Sequence, residues 1–225
     1  MASSMSMPLV MKRIREELKL ARNNGSLILD MSNEGLDGRI GSIYLSTLVI
    51  ELLNKKGFVI EEARNARDWY SIIVHDPTTG VRIPCKITIS GGGSDNFSNK
   101  HAILYSCTDL GIEDIPKVLS YDDMFHYVRK NVRRQRDPAE EYYMIYLHKT
   151  KPVVAVRSLC DIKYFRANPS NHLQINWNKE IKYRAEDSTM HVSPAEVFEA
   201  IRSTLAVSYD GIKRRMQVVT RRITV

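Results

Sequence analysis

An aspartate and a lysine in neighbouring predicted strands are the residues of this chain best suited to phosphodiester chemistry. Asp68 opens the stretch DWYSIIVHDPTTGVRIPCKITI, and Lys86 lies in its second, largely apolar run. A divalent cation held by a carboxylate stabilises charge on a phosphate and acidifies an attacking water. Mg²⁺ keeps several waters, so one or two carboxylates suffice to bind it. A lysine beside the cation can orient that water or stabilise the developing charge.

The elements that would position this pair are predicted from periodicity and from capping and turn signals. Helices are predicted at 9–22, at 38–56, after an N-cap at Ser120, and from the capping box Ser193-Pro194-Ala195-Glu196. Strands are predicted near 57–61, 69–75 and 81–89 and in EYYMIYLHK, KPVVAVRSL and HLQINW. GGGSDNFSNK is predicted as a loop and HAILYSCTDLG as a strand or short helix. The order predicts an α/β fold: a single domain with a central mixed β-sheet flanked by helices.

Composition narrows the function classes. The net charge of +7 and the pI near 9.3 favour a nucleic-acid partner. Basic clusters lie at 129–136, 212–215 and 220–223, although each cluster alone is more readily a solvated helix end or tail. Cys85, Cys107 and Cys160 form no CxxC pair, which argues against structural zinc and suits a reducing cytoplasm. No apolar run reaches the ~20 residues of a membrane span, so no membrane partner and a cytoplasmic location are expected.

The order of helix, strand with aspartate, turn and strand with lysine resembles the core of the PD-(D/E)xK nucleases. Lys86-Ile87-Thr88-Ile89 followed by GGGSDNFSNK resembles the EcoRV- and HincII-like type II restriction endonucleases. IKYFRANPSNHLQIN, at 162–176, looks like the segment of SwaI-type enzymes that reads FR-x-NP followed by Q-x-N. The resemblance covers roughly residues 38–176, about three fifths of the chain.

This resemblance implies a restriction-endonuclease-like core that hydrolyses double-stranded DNA at specific sites with Mg²⁺, as a homodimer. Residues 1–8 would be a flexible N-terminal tail and 9–225 one endonuclease-like DNA-binding domain. Asp68 and Lys86 would be catalytic, and Asp68 and the main-chain carbonyl of Cys85 would bind the metal. Dimerisation is expected because a palindromic site presents two symmetric half-sites to a chain with one active site.

The chain departs from the family at its second acid, which lies two residues before the lysine. Pro84 occupies that position, and a proline there suggests an edge strand or an irregular strand start. Three explanations are open. Another carboxylate takes the role (Asp76 or Glu62, with Glu61 and Asp95 also near in sequence), one aspartate holds a single metal, or the chain binds DNA without cutting it.

The loops are predicted to read the bases. Asparagine and glutamine pair with adenine edges, and lysine and arginine pair with guanine. The DNA-binding candidates are Ser94, Asp95, Asn96, Asn99 and Lys100 in the first segment, and Arg166, Asn168, Gln174 and Asn176 in the second. The competing interpretations are a plain mobile turn at 91–96 and a routine turn start at Asn168-Pro169. For the whole chain, the alternatives are a non-catalytic DNA-binding protein on a nuclease-like fold and an RNA-binding or viral interaction protein.

Overall fold

The structure, a computed structural model, describes residues 7–30, 38–64, 68–97, 99–133, 137–168, 172–183 and 192–223, with residues 38–40 and 215–223 described by their backbone alone. Six α-helices lie in these ranges: α1 Leu9–Asn23, α2 Gly38–Lys55, α3 Lys100–Cys107, α4 Tyr121–Asn131, α5 Trp177–Tyr183 and α6 Pro194–Ile223. The described strands are β1 Val59–Glu62, β2 Ile72–His75, β3 Arg82–Ser90, β4 Ser94–Asn96, β5 Tyr143–His148, β6 Val154–Ser158, β7 Phe165–Asn168 and β8 His172–Asn176.

Five of these strands form the central sheet, in the order β1-β2-β3-β5-β6. Strand β3 pairs in parallel with β5, and the other three pairings are antiparallel. Helices cover both faces of this sheet. The predicted fold class is therefore confirmed: the chain is a single α/β domain with a central mixed sheet flanked by helices.

Two apolar clusters lie on the two faces of the central sheet. Helices α1 and α2 cover one face, where Leu18 and Leu53 pack with Ile72 and Cys85. Helices α3, α4 and α6 cover the other face, where Tyr146 of β5 and Trp177 of α5 join the cluster. Because neighbouring residues of a strand point to opposite faces, Cys85 belongs to the first face and Lys86 to the second.

A smaller three-stranded sheet, in the order β4-β8-β7, is attached to the second face. Leu173 and Ile175 of β8 point inward and join the core there with Ile201 and Leu205 of α6. The prediction of GGGSDNFSNK as a loop is wrong at Ser94–Asn96, which forms β4. Three polar residues carry no strand pattern of their own, and this strand forms by pairing with β8 nearly eighty residues away.

The hairpin formed by β2 and β3 differs from its prediction in the start of β2 and in the position of Pro84. Strand β2 begins only at Ile72, so Asp68 lies in a bend before it and does not open the strand. Pro84 lies in β3, an interior strand and not an edge. Along a strand, the backbone nitrogens of every second residue point to the same neighbouring strand. The Ile87 N–H points towards β2, where it donates to Ser71 Oγ. Pro84 lies three residues earlier, so its nitrogen points the opposite way. The nitrogen of Pro84 therefore faces β5, whose pairing begins one residue later at Cys85.

The helix boundaries follow the predicted caps. Ser120 Oγ accepts the Asp123 N–H at the start of α4, and Ser193 and Glu196 form a reciprocal capping box at the start of α6. The predicted tail is wrong at Met7, which is buried in the core; residues 1–6 lie outside the described residues. Among the described helices, none combines the length and apolarity needed to cross a lipid bilayer.

Candidate functional site

Lys86 lies on the α3 side of the central sheet, in the same row as Pro84 and Thr88. In the nuclease family that the chain resembles, the second acid occupies the position of Pro84. Its side chain would lie on the same face as Lys86, because side chains two residues apart in a strand point the same way. The Cys85 side chain points to the opposite face, and burial raises the pKa of its thiol well above the usual range. The Cys85 thiol is therefore part of the hydrophobic core. Any chemistry on the opposite face depends on Lys86 and on the side chains near it.

Two aspartates from different segments lie within electrostatic reach of Lys86. Partial burial lowers the pKa of Lys86, and the charges of Asp95 and Asp68 oppose that effect. Asp68 lies in the bend before β2 and lines a cleft of about 560 Å³. The cleft is also lined by Glu61, Arg64, Trp69, Tyr70, His101, Glu113 and Lys117. The charge of Asp68, the predicted partner of Lys86, thus acts on the lysine, and so does the charge of Asp95.

Asp95 was predicted to contact DNA, and its position corrects that prediction. Its carboxylate points inward from β4 and accepts a hydrogen bond from Thr88 Oγ1 at 2.9 Å. Burial raises the pKa of Asp95, while the bonds from Thr88 and the Asn96 N–H and the charge of Lys86 oppose the rise. Burial also raises the pKa of Tyr146 to about 12, with a contribution from the nearby Asp95 charge. Thr88 was missed from the sequence, although its spacing from Lys86 marks it as a neighbour on that face.

The other predicted metal ligands are not gathered around Lys86. The Cys85 carbonyl accepts the Ser71 N–H at 2.7 Å within the sheet. Asp76 lies at the opposite end of the β2–β3 hairpin, where its carboxylate accepts the Thr78 N–H. Glu62 pairs with Ile72, which pairs with Cys85, so it belongs to the face away from Lys86. Asp76 therefore stabilises the turn, and Glu62 is on the wrong side of the sheet for the predicted role.

Within the described ranges, no three His, Cys, Asp or Glu side chains are grouped so as to hold a metal ion. The donor set beside Lys86 is still compatible with Mg²⁺, because this ion is commonly bound by one or two carboxylates, several waters and substrate phosphates. Asp68, which lines the open cleft, is the carboxylate placed to share such an ion with a phosphate. The residues thus fit a sparse single-ion site and not a fully protein-ligated one.

Most of the predicted base-reading residues share one face of the three-stranded sheet. Asn96 pairs with Gln174, which pairs with Arg166, and Ser94 pairs with Asn176. The face formed by Ser94, Asn96, Arg166, Asn168, Gln174 and Asn176 is called the amide face below. Its opposite side carries the buried Leu173 and Ile175. Asn96 and Arg166 are exposed and the other members are partly exposed, so the face is polar and accessible.

Three carboxamides of the amide face are linked by hydrogen bonds. Asn96 Oδ1 accepts from Gln174 Nε2 at 2.9 Å and from Asn168 Nδ2 at 3.2 Å. Bonds of this kind fix the orientation of amide groups before a ligand arrives, which lowers the entropy lost on binding. Asn176 has a second task, because its Oδ1 accepts the Lys179 N–H at the start of α5.

Asn99 is not part of the amide face, and its predicted role in DNA reading is withdrawn. Its Oδ1 accepts the Ala102 N–H as the N-cap of α3. Its Nδ2 donates to the Trp69 carbonyl at 2.5 Å and to Tyr142 Oη at 3.3 Å. The whole amide is therefore committed inside the protein. Lys100, the next residue, lies over the Tyr121 ring at 5.4 Å from its centroid.

The basic clusters divide into surface and structural residues. Arg129 and Lys130 in the last turn of α4 are exposed. Arg133 is buried: its guanidinium donates to the Thr108 carbonyl and pairs with Asp109 at 3.3 Å. Residues 134–136 lie outside the described residues. The structure extends α6 as a helix through both C-terminal basic clusters.

No protein-family model matches this chain, and no curated protein gives a significant sequence match. The function proposed below is therefore inferred from the residues around Lys86 and from the amide face.

Proposed function

We propose that this chain is a sequence-specific endonuclease of double-stranded DNA that acts as a homodimer with Mg²⁺. The observation that carries the proposal is a partly buried lysine, Lys86, on the sheet face where Thr88 binds the Asp95 carboxylate. The charges of Asp95 and Asp68, from two separate segments, both act on this lysine. A lysine in an interior strand is costly to desolvate unless it is paired. The charge of Asp68, which lines an open cleft, acts on this lysine, and this is consistent with a reactive role.

The proposed chemistry assigns each residue one task. Asp68 would hold the cation, which when bound stabilises charge on the phosphate and acidifies an attacking water. Lys86 would orient the water and stabilise the negative charge that develops on the phosphate. The amide face would read base edges, and the net charge of +7 would attract the phosphate backbone.

A second candidate, DNA binding without hydrolysis, is favoured by one specific observation. Pro84 offers no carboxylate at the family's second acidic position, and the Cys85 carbonyl already accepts a hydrogen bond from Ser71. The amide face would be retained in such a protein, while cutting would be lost.

The test is incubation with long mixed-sequence DNA and MgCl₂, followed by electrophoresis. Discrete fragments are expected from the wild-type chain, and none from Asp68→Asn or Lys86→Ala. Glu62→Gln is the matched control, because Glu62 lies in β1 on the face of the central sheet that points away from Lys86. This variant should cut as the wild type does. DNA that is retarded but intact would support the second candidate. DNA that is neither cut nor retarded would contradict both.

A further inference from the structure

Strand β4 carries side chains of two different kinds on its two faces. Ser94 and Asn96 belong to the amide face and pair with Asn176 and Gln174 of β8. Asp95, between them, points the other way and bonds to Thr88 of the central sheet. Adjacent residues of one short strand therefore reach the amide face and the surroundings of Lys86.

The position of β4 is closely fixed at its start. Gly93 has φ +66°, and a Cβ at this residue would lie 2.2 Å from the side chain of Asn178. Its carbonyl accepts the Asn178 N–H at 3.0 Å. A side chain at Gly93 would therefore meet the Asn178 side chain, in a backbone conformation that favours glycine.

Lys86 has a long flexible side chain, so an ammonium group at its tip must be held if it is to act on one phosphate. The charges of two aspartates act on Lys86, that of Asp95 more strongly than that of Asp68. Thr88, two residues from Lys86 on the same strand face, anchors the Asp95 carboxylate at 2.9 Å. Thr88 and Lys86 thus share one strand face, and β4 supplies to that face the carboxylate of Asp95, whose charge acts on Lys86.

We infer that Asp95 is a positioning residue for Lys86, and that it makes the reactivity of Lys86 depend on the amide face through β4. This inference deepens the proposed endonuclease function and rests on it. An enzyme built in this way would lose cutting rate, and not only affinity, when a base contact made by β4 is lost. A base contact made by β7 would contribute less to the cutting rate, because β8 lies between β7 and β4.

The test measures binding and cutting separately. Specific DNA affinity is measured by gel shift with Ca²⁺ in place of Mg²⁺, and the cutting rate is measured in a single turnover with enzyme saturating. Asp95→Asn keeps the shape of the side chain and an oxygen for Thr88 but removes the charge. We expect its affinity to stay within a few-fold of wild type and its rate to fall about 100-fold, the size expected for misplacement of a catalytic group by ~1 Å.

Two variants of the amide face extend the test. Asn96→Ala, on β4, should lower both the affinity and the single-turnover rate. Arg166→Ala, on β7, is the matched comparison: it should lower the affinity, and its single-turnover rate should fall less than that of Asn96→Ala. Thr88→Val, which removes the anchor of Asp95, should lower the rate as Asp95→Asn does, but by less.

Each result decides for or against the inference. If Asp95→Asn cuts saturated DNA at the wild-type rate, Asp95 does not position Lys86, and the endonuclease function still stands. If Asp95→Asn loses stability and affinity but not rate, its role is structural and the inference is wrong. If the wild-type chain leaves DNA intact under all these conditions, the proposed function fails and the inference falls with it.

Discussion

Asn99→Ala should destabilise the fold by about 2–3 kcal/mol without removing a DNA contact. The substitution deletes the N-cap of α3, which contributes about 1 kcal/mol. It also deletes the amide bonds to the Trp69 carbonyl and Tyr142 Oη, worth about 1 kcal/mol each. The loss is partly limited because the Trp69 carbonyl keeps the bond from Tyr142 Oη at 2.7 Å.

Asn96→Ala is the matched comparison, because it removes the same side chain from an exposed position three residues earlier. The Asn96 side chain accepts two hydrogen bonds, both exposed, from Gln174 and Asn168. The free energy of unfolding should therefore fall by less than about 1 kcal/mol, while specific DNA affinity falls. Urea denaturation with a constant m-value measures the first quantity, and a gel shift at a temperature where both variants are folded measures the second.

Two results of this comparison would contradict the structural role of Asn99. If Asn99→Ala unfolds at the same urea concentration as Asn96→Ala, the three hydrogen bonds of Asn99 do not stabilise the fold as described. If folded Asn99→Ala loses specific DNA affinity as severely as Asn96→Ala, Asn99 belongs to the DNA-reading surface after all.

Two further predictions concern the backbone and pH. Gly93→Ala should be destabilising by more than ~1 kcal/mol, the cost of a left-handed alanine, because its φ is +66° and its Cβ would meet Asn178. Gly92→Ala should be neutral, because a Cβ at residue 92 would have no other atom within 4 Å. Urea unfolding midpoints that are equal for Gly93→Ala and Gly92→Ala would contradict this prediction. Hydrogen bonds from Ser193 lower the pKa of Glu196 below its usual 4.5, so its stabilising contribution is present above pH 4.5 and is lost as the pH falls through the lowered pKa. Thermal melts should therefore show a smaller acid dependence for Glu196→Gln; an identical dependence would contradict it.

Local patterns in the sequence were enough to predict the main elements and their caps. Helical spacing predicted α1 and α2, and the signals at Ser120 and Ser193 predicted two N-caps that the structure confirms. The apolar runs of β5 and β6 predicted buried strands, which they are. These features depend on residues close together in the chain, so their physical causes are visible in sequence.

The arrangement of the candidate site was only partly predictable. Residues 174 and 176 share a strand face by simple alternation, but the alignment of β4 with β8 depends on a distant pairing. A shift of one residue would have exchanged the faces of Asn96 and Asp95. That is why Asp95 was grouped with the base readers although its side chain lies beside Lys86.

Asn99 illustrates the same limit at a helix start. Its type and its place before KHAILYSC are typical of an N-cap, yet the same amide in a polar segment is also typical of a base contact. Only the position of the Trp69 carbonyl and Tyr142 distinguishes the two roles. Long-range packing therefore decided what local chemistry left open.

The most direct measurement is to sequence the DNA ends produced by the wild-type chain, Asp68→Asn and Glu62→Gln in the presence of Mg²⁺. Wild type and Glu62→Gln should produce ends that all carry one short sequence, and Asp68→Asn should produce none. Intact DNA with the wild-type chain, or the same ends with Asp68→Asn, would contradict the assignment of Asp68 and Lys86 as the catalytic pair.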